Sequence, residues 1–153
     1  MMFELTSPAF TDGAVIPKKH TCDGADVSPA LRWADPPKGT RCFALIVDDP
    51  DAPMGTWVHW VLYNVPADLL ELPEAVPPED SFPNGMHQGI NDFQRIGYGG
   101  PCPPPGKPHR YFFTLYAVNV MLNLKPRATK GQVLEASKGH IQAEAKLMGR
   151  YGR

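Results

Sequence analysis

Phe43-Ala44-Leu45-Ile46-Val47 runs straight into Asp48-Asp49-Pro50-Asp51-Ala52-Pro53. The five apolar residues read as a buried β-strand, and a buried strand does not normally end in three acids. Three carboxylates and two prolines there predict a rigid, charged rim on a hydrophobic scaffold, and rims of this kind usually bind something.

Two further stretches have the same strand character. Trp57-Val58-His59-Trp60-Val61-Leu62-Tyr63-Asn64-Val65 is rich in β-branched and aromatic residues. Simple alternation would place Trp57, His59, Val61 and Tyr63 on one face and Val58, Trp60 and Leu62 on the other. Both faces are apolar, so this is a central strand covered on both sides. From Arg110 to Val118, Tyr111, Phe113, Leu115 and Ala117 alternate with Phe112, Thr114, Tyr116 and Val118.

The flanks are less regular. Residues 3–35 read as short strands joined by turns at Asp12-Gly13, Asp23-Gly24 and Ser28-Pro29. Residues 66–108 are crowded with proline and glycine, and a connection this long is usually functional or partly helical. Over 129–149 the pattern turns helical: Thr129 with Gln132 suits a capping box, and Leu134, Ile141 and Met148 recur every seven residues. Gly139 would break that stretch into two short helices. The expected fold is mainly β, with an antiparallel sheet and peripheral and C-terminal helices, in one domain over 1–153.

Composition narrows the function classes. With 153 residues, 42% of them apolar, the chain can bury a core. Fifteen basic and sixteen acidic side chains nearly cancel, which argues against nucleic acid or an anionic membrane recognised by bulk charge. The 18 prolines and 14 glycines make up about a fifth of the chain, below the low-complexity range, and suggest shaped loops. Cys22, Cys42 and Cys102 are odd in number, and the first residues resemble no secretion signal. Together these favour free thiols in a reducing cytoplasm. No stretch has the length or apolarity of a membrane span.

If residues 43–48 pair with 57–65 and 110–118, several polar features converge at one end of the sheet. They are Asp49 and Asp51, then His59, then the loop Gly99-Gly100-Pro101-Cys102-Pro103-Pro104-Pro105-Gly106, then His109 with Tyr111. His109 and Tyr111 are two apart and share a face. Two imidazoles and a phenol offer donors to a small anion, and the carboxylates would orient the histidines and favour their cationic form. A lone strand histidine is more often a packed core residue, but four such features at one sheet end outweigh that reading.

Metal binding lacks support, since no short His-x-His, His-Glu-x-x-His or Cys-x-x-Cys spacing is present. A hydrolase using the same Asp/His/Cys cluster, with Cys102 and His109 as a thiol pair, is the alternative. The Gly-x-Ser-x-Gly elbow and the phosphate-loop motif are both missing.

At these residues the chain resembles the phosphatidylethanolamine-binding protein family, in particular its short bacterial branch, the Raf kinase inhibitor-like proteins. The resemblance is carried by Ser7-Pro8-Ala9-Phe10, Thr21-Cys22-Asp23-Gly24, Ser28-Pro29 through Trp33, Phe43 to Pro53 and His59-Trp60. Gly89 to Phe93, Gly97 to Gly106, His109-Arg110-Tyr111 and Gly139 to Tyr151 extend it over nearly the whole chain. It implies a central antiparallel sheet packed on a second small sheet. It also implies an anion pocket formed by Asp49, Asp51, His59, His109 and Tyr111, flanked by Pro53 and the 99–106 loop with Gly100 and Pro101. A cis peptide at Ala52-Pro53 is the family expectation. The resemblance further implies a small phosphorylated or anionic ligand bound without metal or cofactor, no catalytic residue, and a homodimer. Regulation of a protein partner follows by analogy. The stretch from Glu71 to His87 is less typical and is expected to reshape the pocket mouth.

Overall fold

The structure is a computed structural model and describes residues 2–153, so Met1 lies outside the described residues. Two antiparallel sheets pack face to face. The smaller has the order β1 (Glu4–Thr6), β2 (Leu31–Ala34), β5 (Glu71–Leu72). The larger has the order β6 (His87–Gln88), β4 (Trp57–Pro66), β3 (Cys42–Asp49), β7 (His109–Val118), β8 (Ile141–Tyr151). The three stretches that the sequence marks as strands therefore lie side by side at the centre, with β3 between β4 and β7.

The period-two pattern of β3 divides the interior. Phe43, Leu45 and Val47 point toward the small sheet and join Leu5, Leu31, Trp33, Phe113 and Leu115 in the main core. Cys42, Ala44 and Ile46 point the other way, into a second cluster with Val61, Tyr63, Leu122 and Val133. Val133 belongs to the α-helix α1 (Lys130–Ser137), which covers that outer face. Among the described residues, no helix is long and apolar enough to cross a membrane.

In β4 the structure departs from simple alternation. Val47 faces Trp60 while Asp48 faces Val58, so His59 is an extra, bulged residue with no partner on β3. The bulge shifts the phase: Val58 falls in the same cluster as Val61 and Tyr63, and Trp60 and Leu62 face the main core. A second shift near Asn64, at φ 53°, returns Val65 to the main core. Its carboxamide replaces the missing ladder bonds, exchanging two 2.9 Å hydrogen bonds with the Leu122 backbone.

The predicted helical tail is half right. The Thr129–Gln132 capping box is present, and α1 ends where Gly139 takes φ 80°. Beyond it the chain is a strand, not a second helix, and β8 pairs with β7 from Ile141 opposite Val118 to Tyr151 opposite His109. The seven-residue stripe misleads because Ile141 is exposed. The inward positions Ala143, Ala145, Leu147, Gly149 and Tyr151 have period two, hidden by small side chains. Gly149 must be small, because a Cβ there would overlap Ile16.

The long 66–108 connection contains no helix. Gln88 organises part of it, accepting from Trp60 Nε1 at 2.7 Å and donating to the carbonyls of Pro77 and Glu79. No peptide bond among the described residues is cis, so Ala52-Pro53 is trans, contrary to expectation. The expectation of three free thiols also fails. Cys22 and Cys102 form a disulfide, their Cα atoms 5.4 Å apart across 80 residues of sequence, and Cys42 alone is a free, buried thiol. An odd count speaks only to the residue left over, and here the fold brings the other two together.

Candidate functional site

The candidate site is a cavity of about 260 Å³ at the end of the large sheet where β3 stops, β4 begins and β7 begins. The bulge in β4 turns His59 into it. The backbone freed from the ladder there is taken up by neighbouring loops: Val58 N–H donates to Asp92 Oδ2, and Gly99 N–H donates to the His59 carbonyl. His59 Nδ1–H in turn donates to the Gly99 carbonyl at 2.6 Å. The proton is therefore on Nδ1, and Nε2 of the neutral ring carries a lone pair. His59 is only 3% exposed, and burial holds its pKa below the usual histidine value, against the opposing pull of Gly99 and Asp49. The sequence-based expectation that carboxylates would charge this ring is reversed, because desolvation outweighs them.

His109 differs. Its Nδ1–H donates to Asp49 Oδ2 at 2.7 Å, and the other Asp49 oxygen accepts from Asp51 N–H at 2.8 Å. Asp49 is thus a buried orienting group with both oxygens engaged. Tyr111 stands between the histidines, edge-on to His59 at 5.2 Å between ring centroids and stacked with His109 at 6.5 Å. The residue is 1% exposed, yet its hydroxyl has no hydrogen-bond partner. Burial, with Asp49 nearby, raises its pKa, so the phenol keeps its proton as a donor.

Asp49, Pro53, His59, His109 and Tyr111 are brought together on the cavity lining. Asp51, Gly100 and Pro101 are close by but outside it. Asp51 clamps Arg110, accepting from Nε, Nη2 and the backbone N–H at 2.9 Å each, and this guanidinium holds its carboxyl down at about 2. Gly100 N–H donates to Asp26 Oδ1, and the Pro101 carbonyl accepts from Cys22 N–H. A Cβ on Gly100 would overlap Asp26 and the His20 carbonyl, so this glycine serves close packing. Asp48 points to the opposite face and pairs with Lys130 at 2.7 Å.

Sequence reasoning missed the aromatic side of the cavity. Trp57 and Phe93 meet edge-to-face at 5.5 Å, and Phe93 also meets His59 edge-on at 5.3 Å. Phe93 is aimed by Asn91, whose side-chain oxygen accepts from the Phe93 and Arg95 amides while its Nδ2 donates to Gly97. The available signal was an Asn-Asp turn pair before a lone aromatic in a polar loop. Ala52, Met54, Cys102, Pro103 and Pro104 complete the lining. No residue of 71–87 reaches it, contrary to expectation, because β5 joins the small sheet and β6 pairs with the far part of β4, at Leu62 and Tyr63.

No group of three or more His, Cys, Asp or Glu side chains among the described residues is arranged to hold a metal ion. The thiol pair suggested for Cys102 and His109 has no thiol, since Cys102 is bonded to Cys22. Cys42 does not replace it: burial pushes that thiol up to about 11, and it donates to the Val120 carbonyl.

Fold and site together define a class, a two-sheet antiparallel β-protein with a histidine-, tyrosine- and proline-lined cavity at a sheet end. A sequence model of the phosphatidylethanolamine-binding proteins matches residues 6–152, and the chain belongs to that family. A UPF0098 protein of Methanothermobacter thermautotrophicus is 50% identical over 149 residues, covering 97% of this chain and 98% of the relative. The structure of a phosphatidylethanolamine-binding protein homolog from Chlamydia trachomatis superposes with a TM-score of 0.90 at 42% identity, covering 99% of this chain and 97% of the other. YbcL of E. coli, described as a member of the mammalian family, gives 0.92 at 34% identity over 100% and 99%. These likenesses bear out the two-sheet fold and the bacterial branch read from the sequence.

Proposed function

We propose that this chain is a non-enzymatic binding protein that holds a small anion, a phosphate or a phosphorylated head group, between His59 and His109. The observation that carries the reading is the Tyr111 hydroxyl, buried, protonated and unpartnered beside two histidines whose Nδ1 atoms are already engaged. A buried hydroxyl without a partner is costly, and a ligand oxygen would satisfy it. The fixed Nδ1 bonds leave both Nε2 atoms for the same ligand. His109, oriented through Nδ1 by Asp49, presents Nε2 to it. His59 accepts from a protonated phosphate oxygen, or takes up a proton and donates.

The apolar wall of Trp57, Phe93, Pro53 and Pro104 suits a head group with a short organic part more than a bare ion. Regulation of a protein partner and assembly as a homodimer belong to the same proposal by family analogy. Of the grounds for cytoplasmic residence, free thiols and first residues unlike a secretion signal, the Cys22–Cys102 pair removes the first.

The test is calorimetric titration of the protein and of Tyr111→Phe with inorganic phosphate and with phosphoethanolamine. Loss of one ligand hydrogen bond should weaken binding by about 0.5–1.5 kcal/mol, while denaturant stability holds or rises because an unsatisfied hydroxyl is removed. Equal affinity in the two proteins, or no binding of either ligand, would sink the reading.

A further inference from the structure

The cavity wall formed by Cys102, Pro103 and Pro104 is poorly held by its own backbone. From Pro101 to Pro105 the sole backbone N–H is that of Cys102, since the other four residues are proline. No strand runs through the stretch. Its backbone anchors are the Pro101 carbonyl, which accepts from Cys22 N–H at 3.1 Å, and the Pro103 carbonyl, which accepts from Arg153 Nε at 2.8 Å. The flanks are secured separately: Gly99 to His59, Gly100 to Asp26, and Gly106 to the Arg153 carbonyl. Pro101 and Pro103 are packed inward, and the one covalent tie on the wall is the Cys22–Cys102 bond, with Cys102 exposed while lining the cavity.

We propose that the Cys22–Cys102 disulfide is a redox latch on the anion cavity, which a dithiol reductant opens to release the 101–105 wall and weaken anion binding. The proposal rests on the anion-binding reading above. A thiolate of the reductant attacks the exposed Cys102 sulfur, the bond to Cys22 breaks, and Cys22 leaves as a thiolate and takes up a proton. The second thiol of the reductant then closes that molecule's own disulfide and frees Cys102. Two electrons pass from the dithiol to the protein, which gains two thiols. Cys42 stays out of the exchange, being buried on the far side of the large sheet.

Opening the latch leaves β3, β4 and β7 in place, so His59, His109 and Tyr111 keep their scaffold. What is lost is one preorganised wall, and an unordered wall must be ordered again at each binding event.

The test uses the full chain, oxidised and after treatment with dithiothreitol, titrated with inorganic phosphate and followed by amide hydrogen exchange. Phosphate should bind about tenfold more weakly after reduction, from the ordering cost of the wall. Exchange should quicken at the Cys22 amide, which donates to the Pro101 carbonyl of the wall, while the strand amides stay protected. The double variant Cys22→Ser/Cys102→Ser should behave as reduced and ignore the reductant, whereas Cys42→Ser should respond like the parent. Unchanged affinity with unchanged exchange overturns the latch. Loss of protection throughout the strands also overturns it, since the bond would then be a general staple. If the oxidised protein binds no phosphate, the anion-binding reading fails, and exchange at the Cys22 amide alone decides the latch: faster on reduction supports it, unchanged overturns it.

Discussion

His59 is under two opposed influences. Burial favours its neutral form, whereas an anion beside Nε2 would favour the imidazolium. Under the proposed function, binding therefore draws in a proton, and affinity rises as pH falls through the histidine range. Sulfate is the suitable probe, because its own charge is constant there. Calorimetry should show tighter sulfate binding at pH 5.5 than at pH 8, with proton uptake visible as a dependence on buffer ionisation heat. Equal affinity at both values would mean that the ring stays neutral in the complex. Asp49 is the counterpart at His109. Both its oxygens are used within the protein, so it orients the ring and leaves the ligand to the histidine.

At the scale of elements, the bulge in β4 and the glycine in β8 matter most. The bulge turns His59 out of the ladder, and the Gly99 and Asp92 hydrogen bonds close the gap it leaves. In β8, Gly149 lies opposite Tyr111 and beneath Ile16 and Phe10. Gly149→Ala should cost about 1–3 kcal/mol through overpacking, read as a lower urea midpoint at unchanged slope. A neutral result would show that the segment around Ile16 moves away freely. These features also mark where the sequence stops being legible. The strands β3 and β7 are long, strictly alternating and apolar, so local pattern identifies them. Neither the bulge nor β8 leaves such a trace, because one extra residue and a run of small inward side chains carry almost no hydrophobic signal.

For the whole molecule, acid stability draws on two kinds of group, the buried His59 and the paired carboxylates, of which Asp51 is the most strongly shifted. The folded pKa of His59 lies below the unfolded value of about 6.5. Its contribution is full above that value and is lost as pH falls through the folded pKa. Asp51 is held at about 2, below its ordinary 3.8. Its contribution is present above 3.8 and is lost only as pH falls toward 2, and it is small because the Arg110 pair is half exposed. Unfolding by urea between pH 8 and pH 2.5 should therefore decline in two steps. His59→Gln should remove the upper step and Asp51→Asn should only shrink the lower, which Asp23, Glu74 and Asp80 share, and a single step common to all three proteins would contradict the assignment.

The sequence by itself determined the central strands, the family, and the residue types available at the strand ends, while the pairing of β3 with β4 and β7 came from the tertiary structure. Those follow from local periodicity and from long motifs, which need no partner to be read. Only the tertiary structure decided which of the neighbouring polar residues face the cavity. Asp49 points inward, Asp48 to the opposite face and Asp51 to Arg110, though all three lie within four residues. It also decided the His59 protonation balance, the aromatic wall from Phe93 and the Cys22–Cys102 bond. Each depends on how deeply a group is buried and on what arrives from far along the chain, and side-chain desolvation and contacts across 80 residues have no local signature.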